Sequence, residues 1–264
     1  MKYNRDIRFS LQKISIFILL LLHITGVPLH ATEKEREIVL EVYPQWYSEE
    51  DLVIQGNAGI ETDVQSSDWI EYYVKPSFAY AIDDKWALHG GLGFYYTNYK
   101  EEDDNFEVRP FVGISHFTPL TGKWKLSSYF RAEDRIQYNT STKDKEDTLR
   151  LRLRLRTAYT INPISEENSW HKMTFGVEGF KSDTDDQTDS GIQDSYDYEV
   201  HISAGLERSL RDNQKLRFEL SLKYQGKPSD IQESSASTVY FKIQYFPVWG
   251  ETFANKLFHR GIEE

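Results

Sequence analysis

Arg150, Arg152, Arg154 and Arg156 alternate with Leu149, Leu151, Leu153 and Leu155 in one unbroken run. Guanidiniums at this spacing suit one kind of chemistry, the attraction and ordering of carboxylates and phosphates. Arg109, Arg131 and Arg135 recur two residues from Glu107 or Glu133, and a further acid stands in Val177-Glu178-Gly179-Phe180. The candidate anion-binding set is therefore Arg109, Arg131, Arg135, Arg150, Arg152, Arg154 and Arg156, with Glu107, Glu133 and Glu178 as internal partners. Arginines two apart on a strand lie roughly 7 Å apart and repel by about 2 kcal/mol at an effective dielectric near 20. A ladder with few nearby acids must then be solvated, paired from distant strands, or bound to anions.

Other chemistries are weaker. His201-x-Ser203 is a His/Ser pair on one strand face, with Glu199 or Glu207 able to orient the ring. A lipid hydrolase would need that pair on the outer wall, whereas the pattern points it inward, so no catalytic residue is expected. Ser115 and His116 are adjacent and face opposite ways. Asp183, Asp185, Asp186 and Asp189 lack the glycine and glutamate positions of a calcium loop, so no metal site is expected. His89, His171 and His259 are isolated. With no cysteine, thiolate chemistry and disulfides are excluded, and no phosphate-binding glycine loop is present, so no cofactor is expected.

The element that positions the ladder is a β-strand. Successive side chains then point to opposite faces, leucines to one and arginines to the other. A leucine face against lipid and an arginine face toward a wet interior is the pattern of a transmembrane barrel strand. Similar runs recur at Leu52 to Glu61, Trp69 to Ile82, Lys85 to Asn98, Phe106 to Phe117, Lys123 to Tyr138, Thr148 to Ile161, Trp170 to Phe180, Tyr196 to Leu210, Lys215 to Gln225 and Thr238 to Phe246. The predicted fold is all-β, a transmembrane antiparallel barrel of about ten strands, with twelve as the alternative. Ten strands put the longer connections outside and both chain ends in the periplasm. Glu37 to Tyr47 is the misfit: it alternates like a strand, but an eleventh breaks the even count of bacterial barrels. It extends the first strand, lies against the barrel, or pairs with a further strand not among these ten, which would make twelve.

The start of the chain carries Lys2, Arg5, Arg8 and Lys13, then an apolar stretch from Ile14 to Ile24, then Leu29-His30-Ala31. This is read as a signal peptide over residues 1–31, cleaved before Thr32. Residues 32–50 are of uncertain placement, 51–247 form the barrel, and 248–264 form a periplasmic tail. In that tail Trp249, Phe253 and Leu257 are spaced for a short amphipathic helix, and a frayed end fits equally. The net charge is −11; four basic residues against Asp6 give residues 1–31 a charge of +3, leaving −14 for the rest. An acidic total argues against nucleic acid as a partner. The 17 Tyr, 15 Phe and 6 Trp are enough to build aromatic girdles at two membrane interfaces.

Several of these motifs fall in one order. The strand Gly90-Gly91-Leu92-Gly93-Phe94-Tyr95-Tyr96 precedes Glu107-x-Arg109-Pro110. Arg131-Ala132-Glu133-Asp134-Arg135 with Tyr138 follows, then the Arg150–Arg156 run and Val177-Glu178-Gly179-Phe180. In this the chain resembles the bacterial family catalogued as domain of unknown function 2490, over roughly Trp69 to Phe246. The resemblance implies an outer-membrane barrel and no particular activity. The leading expectation is a small outer-membrane porin whose arginine-lined lumen favours anionic solutes. The alternative is a non-conducting structural barrel with an internal ionic network, and a lipid-modifying hydrolase stands third. The expected partners are outer-membrane lipid, lipopolysaccharide and a small anionic solute.

Overall fold

The computed structural model describes residues 33–48, 50–120, 122–162, 167–183, 198–226 and 236–250. The strands are β1 (Glu33–Val42), β2 (Gln45–Tyr47), β3 (Leu52–Asp63), β4 (Trp69–Ala81), β5 (Trp86–Tyr99), β6 (Asn105–Pro119) and β7 (Trp124–Asn139). They continue as β8 (Lys145–Thr160), β9 (Trp170–Asp183), β10 (Tyr198–Ser209), β11 (Lys215–Gly226), β12 (Ala236–Phe246) and β13 (Val248–Gly250). Each of the ten strands read from the sequence is present, with ends within three residues of those expected. Alternation alone was enough to place them, because the outward face of these strands is largely apolar and exposed, while the inward face is buried, polar over most of its length and apolar at one end.

From β3 to β12 each strand pairs antiparallel with the next. The segment left over from ten closes the ring. β1 pairs antiparallel with β3 and parallel with β12, so the barrel has eleven staves, β1 and β3 through β12. The even count fails for a simple reason. A first strand that runs beside the last in the same direction closes an odd number. It also overturns the expectation that both ends lie on one side. β1 starts at the rim of the loops 64–68 and 100–104, the loop end, whereas β12 runs toward the turns 82–85 and 120–123, the turn end. β2 and β13 continue β1 and β12 in unchanged register beyond Pro44 and Pro247, again parallel. Residues 248–250 are thus strand, not the start of a helix. The signal-peptide reading, the acidic segment 184–197 and residues 251–264 lie outside the described residues.

Four prolines fall on one oblique row of this wall. Pro247 lies beside Pro44, the carbonyl of Pro44 accepts from Gly56 N–H at 3.2 Å, and Gly56 pairs with Pro76. Leu92, the next position, pairs with Pro110. A proline has no N–H to donate, so each removes a rung. The pairing is interrupted at these places: between β1 and β2, between β12 and β13, between Val74 and Ser77 on β4, and between Val108 and Phe111 on β6.

The outer face is apolar, with Leu151, Leu153 and Leu155 on β8, Val112 and Ile114 on β6, and Val177 on β9 all exposed. Aromatic residues gather at its two edges. Trp46, Trp86, Trp124 and Trp170 stand near the turn end, and Tyr72, Tyr96, Phe106 and Tyr138 near the loop end. Cross-strand ring pairs tie these edges, Trp124 with Tyr159 at 5.0 Å and Phe106 with Tyr138 at 6.5 Å.

Candidate functional site

The barrel interior is an ionic assembly, and the alternation of β6 through β9 builds its basic wall. Glu107 on β6 accepts from Arg109 at 2.5 Å and from Arg135 of β7 at 2.7 Å. Glu133 on β7 accepts from Arg131 on its own strand and from Arg150 of β8. Arg152 bridges to Glu178 of β9. More distant strands supply further acids: Glu199 of β10 at 3.8 Å from Arg150, and Glu219 of β11 at 3.4 Å from Arg156. Arg154 is buried with its guanidinium 5.1 Å from the Tyr129 ring. All seven arginines singled out in the sequence therefore face the interior, with Glu107, Glu133 and Glu178 among them.

Aromatic rings lie beneath several of these guanidiniums. Arg109 stacks on Tyr95 at 3.7 Å, Arg131 on Phe111 at 4.7 Å and Arg150 on Phe180 at 4.8 Å. Such stacking adds attraction in a desolvated site. The glycines of the Gly90–Gly93 stretch make room for the rings. A Cβ on Gly91 would stand 2.5 Å from the Phe111 ring, and one on Gly93 would stand 2.6 Å from the Tyr95 ring.

The facing wall carries carboxylates together with Lys75 and Lys242, and was not legible as part of a site. Its carboxylates are Glu41 on β1, Glu61 on β3 and Glu71 on β4. Glu41 accepts from the Tyr73 hydroxyl at 2.5 Å, from Asn57 Nδ2 at 2.9 Å and from the Gln244 amide, with Lys242 Nζ at 3.9 Å. Glu61 and Glu71 stand opposite each other in the β3–β4 register. The only sequence signal was Glu37-x-x-x-Glu41, two inward positions apart on the misfit strand. A chamber of about 220 Å³ separates the two walls, lined also by Tyr240, His201 and Ser203.

At the turn end buried side chains crowd the interior. Tyr47, Val53, Ala79, Ala81, Ala87 and Val248 form a buried apolar cluster, with Phe117 against it. Phe246 packs on Tyr43 at 5.3 Å, and Lys215 and Arg217 lie over its ring. Beside them Glu207 is fully buried, with Arg217 at 2.7 Å and Lys172 at 3.3 Å. His89 and Ser115 share a hydrogen bond of 2.7 Å within this layer, closed off from the chamber. That pair was missed because its members lie 26 residues apart on neighbouring strands.

His201 points into the chamber, bonded to Glu199 at 3.2 Å and 4.9 Å from the Phe180 ring. Ser203 lines the same chamber, and a Cβ on Gly176 would stand 2.8 Å from its Oγ. His116 faces outward against Trp86. Among the described residues no group of three or more His, Asp or Glu side chains is arranged to hold a metal ion. At the loop end, the Tyr96 hydroxyl donates to Asp104 at 2.5 Å and holds its carboxyl below the ordinary range.

A closed ring of strands with one parallel seam, an apolar exterior and an ion-paired interior define a β-barrel with a charged lumen. The chain belongs to the family described as protein of unknown function (DUF2490), whose model matches residues 45–226. That match runs from β2 to the end of β11, so the seam strands β1 and β12 lie outside it. A comparison with curated proteins returns no match.

Proposed function

We propose that this protein is an outer-membrane β-barrel whose bore is closed at the turn end, so that its interior is a one-ended ionic chamber and not a conducting pore. The closed floor carries this reading. Buried side chains of β3 (Val53), β4 (Ala79, Ala81), β5 (Ala87), β9 (Lys172), β10 (Glu207), β11 (Arg217) and β12 (Phe246) crowd this end of the bore. Such a layer leaves no path for a hydrated ion, and barrels near this size can be filled by their own side chains. The membrane location rests on the outer face. Trp86 and Tyr96 on β5 are ten residues apart, about 34 Å along the strand and about 26 Å across it at a tilt near 40°. That matches the roughly 25 Å apolar band between the aromatic girdles of outer-membrane barrels. The basic n-region and apolar stretch within residues 1–31 fit export by a cleaved signal peptide, and outer-membrane lipid and lipopolysaccharide are then the surroundings. No enzymatic step belongs to this reading, since His201 and Ser203 face the chamber and His89 and Ser115 are sealed in the floor.

Single-channel recording of the refolded protein in a planar bilayer tests it. The wild type should show no discrete openings while running as a heat-modifiable, folded band. A Tyr47→Ala/Phe246→Ala variant that keeps that band should begin to conduct. Wild-type openings with anion preference, reduced by Arg152→Ser with Arg154→Ser, would establish the porin reading in its place.

A further inference from the structure

We propose that the chamber binds a small neutral polyhydroxyl ring, a free sugar or cyclitol, whose hydroxyls donate to the side-chain carbonyls of Asn57 and Gln244 on either side of Glu41. This rests on the one-ended chamber described above, which the solute enters from the loop end, and names its ligand.

The seam strand assembles the site. Glu41 of β1 pairs with Gln244 of β12 on one side and with Gly59 of β3 on the other, and Asn57 is the next inward residue of β3. Both amides bond to the Glu41 carboxylate, Asn57 at 2.9 Å. A carboxylate only accepts, so each amide must turn its NH2 toward Glu41. That leaves Asn57 Oδ1 and Gln244 Oε1 turned away, and neither meets a donor among the described residues. Both residues line the chamber and are more than nine-tenths buried, at 8% and 6% exposure. A buried acceptor left without a donor is costly. Two of them, held in fixed orientation by one carboxylate, suit a solute that brings two donors.

Charge decides what kind of donor fits. Lys75 and Lys242 line the chamber among Glu41, Glu61 and Glu71, and Glu71 neighbours Arg109 and Arg135. On the ladder side Arg152 and Arg156 are bridged to Glu178 and Glu219. Both signs therefore recur around the lining, and an ion of either sign meets like charge beside each opposite one. A hydroxyl both donates and accepts, so it serves an amide oxygen, a carboxylate or an ammonium without the cost of stripping water from an ion. Size agrees. A cavity of about 150 Å³ accepts a bare six-membered ring, and the chamber of about 220 Å³ leaves room for hydroxyls around one. Tyr73 and Tyr240 add aromatic surface for the C–H groups of such a ring.

Saturation-transfer NMR on the refolded mature protein tests this, in an amine-oxide detergent that carries no sugar of its own. The probes are myo-inositol, D-glucose and D-galactose. Saturable binding is expected for at least one of them. Among the deoxy analogues of that solute, one should bind about tenfold more weakly, because a site that receives a hydroxyl rejects the analogue lacking it. Gln244→Met and Asn57→Leu should each weaken the parent solute about tenfold. One of the two should also lose the discrimination against that analogue, which a merely loosened barrel would keep. Heat-modifiability reports whether each variant has folded. D-glucuronate and D-glucosamine should bind no more tightly than D-glucose. Saturable binding of none of the three probes, which leaves water as the occupant, would overturn the proposal. So would tighter binding of either charged analogue, or folded variants that bind like wild type. A silent barrel that binds no probe defeats the ligand alone, whereas a barrel that conducts and still binds defeats the closed floor and leaves the site.

Discussion

Glu133 shows how single residues hold this interior together. Its carboxylate is fully buried and bridges Arg131 of its own strand and Arg150 of the next. Arg131 in turn stands directly across from Arg152, a like-charge pair that needs an acid close by. Removing one partner of a buried pair leaves an uncompensated charge and typically costs about 3–5 kcal/mol. Glu133→Gln should therefore destabilise the barrel by roughly that amount, read as a lower urea midpoint of unfolding in detergent or lipid vesicles. A loss below about 1 kcal/mol would show that solvent, not Glu133, neutralises the wall. The ladder and Glu107, Glu133 and Glu178 were legible in the sequence because strand spacing fixes their facing and their partners are near in the chain. Glu41, Glu61 and Glu71 were not, nor was the pairing of Glu219 with Arg156. Alternation says which way a side chain points and nothing about what lies across the barrel from it.

Among the elements, the oblique proline row is the departure from local rules. A proline inside a run ordinarily marks an edge strand or a bulge, yet Pro76 and Pro110 sit in strands paired on both sides. The alternation on either side of them was strong enough to read both strands through. Their alignment was invisible, because only the register brings Pro44, Pro76, Pro110 and Pro247 to one line. The row passes between the packed floor and the chamber on β1 to β4. Missing rungs let a stave bend, and small Ala79, Ala81 and Ala87 occupy the turn-end side of the row, where the inner faces meet. Amides flanking Pro76 and Pro110 should exchange with solvent deuterium before the amides of β7 and β8, which carry no proline within their paired spans apart from the Pro110 rung. Uniform exchange along β4 and β6 would show that the row is no weaker than its surroundings.

For the whole molecule, the odd stave count follows from one strand whose place the sequence left open among three. Its apolar positions Ile38, Leu40 and Val42 announced a strand, while its partners lie up to 203 residues away. Alternation fixes facing but not direction, and direction is what made the ring close with eleven. That parallel seam puts the two described chain ends on opposite rims: Glu33 at the loop rim and Gly250 at the turn rim. In the proposed membrane the mature amino terminus would face the world outside the cell and the carboxyl terminus the periplasm. Assembly then cannot proceed by antiparallel hairpins alone, since β1 joins β12 in parallel and closes the ring across the whole length of the sheet. A short epitope placed after Thr32 should be reached by antibody on intact cells, whereas one at the carboxyl end should be reached only after the envelope is opened. A stably folded passenger at the leading end should block assembly, and the same passenger at the trailing end should be carried without harm.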